Sequence, residues 1–90
     1  MKATRERETV FDRDFLADLT FWVETDRKVA LRVLELVEAT RRDPFQGIGK
    51  PEALKHSLAG CWSRRINQAH RMVYRVTEAR IEFLQARYHY

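Results

Sequence analysis

The candidates for acid–base chemistry on a phosphodiester are Glu52, Lys55, Arg65, Arg71 and His89, which is followed by Tyr90. The last two belong to the terminal run Arg87-Tyr88-His89-Tyr90. Histidine is the side chain best matched to proton transfer near neutral pH. A tyrosine ring can stack on a nucleobase, and its hydroxyl can donate or accept a proton. Cleavage of RNA without a metal needs a base for the ribose 2′-hydroxyl, an acid for the leaving 5′-oxygen, and cations around the phosphorane. The candidates for these parts are the carboxylate Glu52, the cations Lys55, Arg65 and Arg71, and the histidine His89. Taken singly, each has an ordinary alternative: Glu52 as a solvated loop carboxylate, Lys55 as a surface lysine, the arginines as sheet-face charges in weak ion pairs, His89 as an exposed terminal residue. No short motif joins them.

The charge distribution favours a polyanion. Residues 1–40 hold seven Lys/Arg against nine Asp/Glu, a net −2, whereas residues 41–90 hold ten against four, a net +6. A basic half beside a mildly acidic one is consistent with a nucleic-acid-facing surface, and equally with surplus surface cations. His56, His70 and His89 are scattered and the lone Cys61 has no partner, so neither a metal site nor an intramolecular disulfide is expected. No cofactor is implied. A reducing, cytoplasmic setting follows from the cysteine usage. The polar start at residues 1–7 has no apolar signal-peptide core, and no run is apolar enough to span a membrane. Ninety residues, 44% of them hydrophobic, make one folded domain with a thin core that dimerisation or a partner would extend.

The elements that must carry these residues read as follows. Residues 9–11 are β-prone and form a first strand. From residue 12 or 13 to about 24, Phe15, Leu16, Leu19, Trp22 and Val23 make one apolar helical stripe. Its period assigns Trp22 to the core rather than to a stacking platform. Thr25-Asp26 breaks the pattern and caps a second helix, to about Arg41, with Val29, Ala30, Val33, Leu34 and Val37 on its stripe. Leu31 and Leu36 fall off the stripe centre and are expected to face a partner chain. The near-absence of a loop predicts an antiparallel hairpin. Pro44 disfavours helix at Asp43 and stops the second helix there.

Residues 43–60 form a loop with Gly47, Gly49, Pro51 and Glu52, and a short strand at 53–56. Three strands follow at 61–67, 70–77 and 80–88, an antiparallel meander. Strict alternation puts Met72, Tyr74 and Val76 on one face with His70, and Arg71, Val73 and Arg75 on the other. Trp62, Arg64 and Ile66 alternate with Cys61, Ser63, Arg65 and Asn67. In the last strand Ile81, Phe83, Gln85, Arg87 and His89 oppose Glu82, Leu84, Ala86, Tyr88 and Tyr90. One face packs under the helices, leaving the other concave and cationic. His56 and His70 are read as turn or edge histidines without a catalytic role, and Cys61 as a small buried hydrophobe.

Several stretches together resemble the YoeB toxins, within the RelE/ParE superfamily. They are Thr40-Arg41-Arg42-Asp43-Pro44-Phe45, Gly49-Lys50-Pro51-Glu52, Leu54-Lys55-His56, Trp62-Ser63-Arg64-Arg65-Ile66, His70-Arg71, Val73-Tyr74 and the terminal Arg87-Tyr88-His89-Tyr90, with the helical Trp22-Val23-Glu24-Thr25-Asp26. The resemblance runs from about Phe11 to the end. It implies an α+β fold like that of small microbial ribonucleases: an N-terminal strand and a two-helix hairpin on a mainly antiparallel sheet. It implies a toxin that enters the ribosomal A site and cuts the bound mRNA, leaving 2′,3′-cyclic phosphate and 5′-hydroxyl ends. Glu52 then falls on the family's base, His89 on its acid and Arg71 on its phosphate-stabilising arginine. Lys55, Arg65 and Tyr90 fall on RNA-binding or orienting positions. The implied partners are a YefM-type antitoxin, the ribosome with its mRNA, and a second copy of the toxin. The alternative is a non-catalytic, ParE-like toxin that binds DNA gyrase, which would need neither Glu52 nor His89. Ala53 departs from the family, standing where a second proline is common, and Cys61 stands where an aromatic is common.

Overall fold

The computed structural model describes residues 6–58 and 60–88. His89, Tyr90 and the lead-in at residues 1–5 lie outside the described residues. Five strands, β1 (Glu8–Phe11), β2 (Glu52–Ala53), β3 (Cys61–Arg65), β4 (Arg71–Val76) and β5 (Arg80–Gln85), form one sheet in the order β1-β5-β4-β3-β2. Helices α1 (Arg13–Thr25) and α2 (Arg27–Arg42) separate β1 from β2. β1 runs parallel to β5, with Phe11 opposite Phe83, and every other pairing is antiparallel. The α+β architecture is thus a helical hairpin on a mixed, mainly antiparallel sheet.

The helix ends follow from local chemistry. Asp12 caps α1, its Oδ1 accepting from the Asp14 N–H at 2.8 Å. Asp26 closes α1 through its N–H to the Trp22 carbonyl at 2.7 Å and opens α2 by accepting from the Val29 N–H at 3.4 Å. One residue therefore ends one helix and starts the next, which forces the sharp reversal. Arg41 and Arg42 occupy the last turn of α2, where cations suit the helix dipole.

Phe15, Trp22, Ala30, Val33, Leu36 and Val37 pack from the helices onto Met72, Tyr74, Ile81 and Phe83 of the sheet. The rings of Phe11, Phe15 and Phe83 lie 5.3–5.6 Å apart and tie β1 to the core. The buried faces are rotated from the expected stripes. Leu16 is 49% exposed and Val23 60%, while Phe15, Trp22 and the half-buried Leu19 face the sheet. On α2, Leu34 points outward and Leu36 is fully buried, so Leu36 is a core residue and not a partner contact. Its position explains this. The face that meets the sheet runs through Ala30, Val33, Val37 and Thr40, and Leu36 flanks it on the side covered by the glycine loop. Leu31 is exposed.

That loop leaves no room for a side chain at Gly49. Its φ is +81°, and a Cβ there would stand 2.8 Å from the Leu36 Cδ2 and 3.1 Å from the Arg64 Cβ. Gly49→Ala combines left-handed strain with overpacking and is expected to destabilise the fold by about 2–4 kcal/mol. Urea unfolding would measure it, and a loss under about 0.5 kcal/mol would show that the loop can move away from Leu36.

Two features of the sheet depart from strict alternation. Val73 pairs with Gln85 but Tyr74 pairs with Phe83, so Leu84 is an extra residue on β5. This bulge resets the faces, and Ala86, expected opposite Phe83, is buried in the same core as Phe83. The face away from the helices is also less open than expected. Leu54, Cys61 and Val73 form a small second core there, with Leu58 and Leu84 against it. The strand expected at 53–56 starts one residue earlier and is only Glu52–Ala53, because the chain turns at His56 (φ +61°) into the 3-10 turn His56–Leu58.

Candidate active site

The site lies where the short edge strand β2 meets β3 and β4. Glu52 pairs with Ser63, and Arg65 pairs with Arg71. Cross-strand partners project to the same side of a sheet, so these four residues share the face away from the helices. The Arg71 guanidinium bridges them. Its Nη1 donates to the Ser63 Oγ at 3.3 Å and lies 3.7 Å from the Glu52 Oε1. The Arg71 side chain is 16% exposed and that of Glu52 60%. The arginine is therefore held in the sheet while the carboxylate reaches into solvent. Arg65 is exposed beside them, and Lys55 is exposed on the segment that follows β2. Strand register thus brings Arg71 and Arg65 to the sheet face that Glu52 occupies.

Two arginines directly opposite one another repel on an antiparallel ladder. An anion lying between them would remove that cost, and a phosphate has the charge and acceptor geometry for it. Among the described residues, no three His, Cys, Asp or Glu side chains gather to hold a metal ion.

The described chain returns to Arg71 at Tyr88. The Arg71 N–H donates to the Tyr88 carbonyl at 3.1 Å. The proposed acid and Tyr90 lie outside the described residues, and Tyr88 is where the described chain stops.

Arg64 matters to this site, although its type and position marked it only as one more cation. It is fully buried. Its guanidinium donates to the carbonyls of Asp43 (2.6 Å), Ile48 (2.8 Å) and Gln46 (3.0 Å), and its Nε to the Tyr74 hydroxyl (3.2 Å). Tyr74 in turn donates to the Pro44 carbonyl at 2.7 Å. Burial pushes the Tyr74 hydroxyl above its ordinary pKa, with Arg64 partly opposing the rise, which keeps the group a neutral donor. One side chain thus gathers the 43–48 loop, and the Arg65 N–H holds the next turn through the Gly49 carbonyl at 2.6 Å. Glu52 follows three residues later. The available clue was that Arg64 alternates with Trp62 and Ile66 on the helix-facing side, where a charge must find partners.

Ser63 was likewise overlooked as a site residue. It is fully buried, and its hydroxyl fixes the Arg71 head. A serine flanked by charged and aromatic residues carries no signal of such a role until its register with Glu52 is known.

Residues 11–90 match the family model described as the YoeB-like toxin of bacterial type II toxin–antitoxin systems. The chain is 50% identical over 84 residues to the YoeB toxin of Mycobacterium bovis, covering 93% of this chain and 99% of that one. A YoeB/ParE toxin from Agrobacterium tumefaciens superposes with a TM-score of 0.87 at 42% identity, over 92% of this chain and 99% of the other. The YoeB of Staphylococcus aureus, solved as a dimer, superposes with a TM-score of 0.83 at 36% identity, over 97% and 100% of the two chains. Solved as a YoeB–YefM complex, it gives 0.81 at 35%, over 93% and 98%. The chain belongs to the YoeB family of toxins of bacterial type II toxin–antitoxin systems.

Proposed function

We propose that residues 1–90 form a single toxin domain, an endoribonuclease that cuts mRNA in the ribosomal A site by general acid–base catalysis. The observation that carries this is the Glu52–Arg71 pair at 3.7 Å, with Ser63 fixing the arginine and Arg65 opposite it. A carboxylate and two cations share that sheet face. Glu52 removes the proton from the ribose 2′-hydroxyl, and the 2′-oxygen attacks the adjacent phosphorus. Arg71 and Arg65 stabilise the added charge on the phosphorane. His89 gives its proton to the departing 5′-oxygen. The products carry a 2′,3′-cyclic phosphate and a 5′-hydroxyl. Lys55 binds the backbone, and Tyr90 orients the RNA.

The exposure of Glu52 supports dependence on the ribosome. A solvated carboxylate on an edge strand gains most when the 2′-hydroxyl is already aligned with it, and a ribosome-held codon provides that alignment. The relatives' assemblies support a YefM-type antitoxin and a homodimer as partners. Among the described residues no helix is long and apolar enough to cross a membrane, and the proposed substrate places the protein in the cytoplasm.

The test compares purified protein on programmed ribosomes with the same mRNA free in solution, reading rates and end groups. Fast cleavage within the A-site codon, slow cleavage of free RNA and 5′-hydroxyl ends are expected. Equal rates on both substrates, or 5′-phosphate ends, would overturn the mechanism. No cleavage together with inhibition of gyrase supercoiling would transfer the chain to the binding class.

A further inference from the structure

The described residues after β5, 86–88, leave the ladder, yet side chains and one strand hold most of their backbone polar groups. The Asp18 Oδ2 accepts from the Ala86 N–H at 2.9 Å, and the Trp22 Nε1 donates to the Ala86 carbonyl at 2.8 Å. The Gln85 Nε2 donates to the Arg87 carbonyl at 3.3 Å. The Tyr88 N–H donates to the His70 Nδ1 at 2.7 Å, while the Tyr88 carbonyl accepts from the Arg71 N–H. The Arg87 guanidinium stands 3.5 Å over the Phe21 ring and 4.6 Å over that of Tyr88.

Residues 86–88 are therefore held by specific partners although they lie outside the ladder. The segment also holds strain. Tyr88 has a φ of +69°, a left-handed conformation that is unfavourable for a residue with a Cβ. Such a conformation persists where the surroundings over-determine it, and it is associated with sites that need fixed geometry. The contact with His70 is specific in kind. Its Nδ1 can accept only in the neutral ring with the proton on Nε2. The Trp22 ring meets the imidazole edge-on at 4.8 Å and 78°, which sets its orientation.

We propose that His70 is a positioning residue for the terminal acid. Its Nδ1 fixes the peptide of Tyr88, the residue before the proposed acid in the sequence, and Asp18 and Trp22 fix the residue two before Tyr88. The inference rests on the reading of His89 as the general acid. It gives a task to a histidine and a tryptophan whose sequence context pointed only to turn and core.

Two substitutions separate the hydrogen bond from the ring. His70→Asn keeps an acceptor where Nδ1 stands and loses the ring. His70→Phe keeps a ring against Trp22 and Tyr88 and loses the acceptor. Single-turnover cleavage of ribosome-bound mRNA would be measured with both, beside wild type and His89→Gln, together with amide exchange at Tyr88. His70→Phe is expected to lower kcat roughly 10- to 100-fold with KM little changed, and to speed exchange at the Tyr88 amide. His70→Asn should stay within about threefold of wild type, on the scale of one hydrogen bond's geometry. A Phe variant as fast as wild type, or an Asn variant as slow as Phe, would overturn the positioning role and leave His70 a packing residue. If His89→Gln itself cuts as fast as wild type, the acid is misassigned and this inference falls with it. A fast His70→Phe beside a slow His89→Gln overturns the clamp alone.

Discussion

Glu52→Gln is expected to slow cleavage of ribosome-bound mRNA by roughly 10²–10⁴-fold, the span of a lost general base. The amide has the size and one acceptor of the carboxylate but cannot take the 2′-hydroxyl proton. The fold should be almost unaffected. Glu52 sits on a two-residue edge strand with its side chain 60% exposed, and its ion pair with Arg71 is long. Exposed pairs of this kind are worth about 0–1 kcal/mol, and Ser63 still holds the Arg71 head after the change. Glu52→Asp keeps the base but withdraws it by one methylene and should fall between the two. Thermal melts beside single-turnover rates would separate the effects. A Gln variant that melts normally and cuts at the wild-type rate would remove Glu52 from the mechanism.

Arg64→Met is expected to cost about 3–5 kcal/mol of stability. The Met side chain fills much of the volume and supplies no donor. Three loop carbonyls and the Tyr74 hydroxyl lose the one group that donates to them all. Arg64→Lys should recover little, because one ammonium cannot reproduce the planar fork that reaches Asp43, Gln46 and Ile48 together. In a domain of this size the melting temperature would drop by roughly 10–30 °C. The first proteolytic cuts in the folded variant should fall in the 43–50 loop. Cleavage of mRNA should suffer too, through a loosened path into Glu52. A stability loss under about 1 kcal/mol would mean that water replaces the guanidinium without harm.

The helical hairpin was legible because its signals are local: a 3.6-residue apolar period, Asp26 between two helices, and Pro44 after the second. The meander was legible from period 2 and its turns. What stayed hidden depends on distant contacts. The parallel pairing of β1 with β5 joins residues some seventy positions apart, and nothing within residues 8–11 specifies it. The bulge at Leu84 cannot be seen in an alternation that looks unbroken, so Ala86 was expected on the wrong face. Leu36 looked peripheral because part of its cover comes from the glycine loop, which meets it at Gly49.

The site shows the same division. Residue types and family resemblance pointed to Glu52, Arg71 and Arg65, and the register brings these three together with Ser63. Ser63 and Arg64 could not be singled out, since their roles follow from what lies across the strand or over the loop. Trp22 shows how one residue can do two things. It is core, as its helical period requires, and its indole N–H also holds the Ala86 carbonyl.

The most direct test of the acid–base assignment is single-turnover cleavage of ribosome-bound mRNA by wild type, Glu52→Gln and His89→Gln, with the 5′ ends mapped. The expected result is a wild-type cut within the A-site codon that both substitutions slow by at least about 100-fold, with binding to the ribosome retained. A His89→Gln variant that cuts as fast as wild type, or a folded wild-type protein that makes no cut, would contradict it.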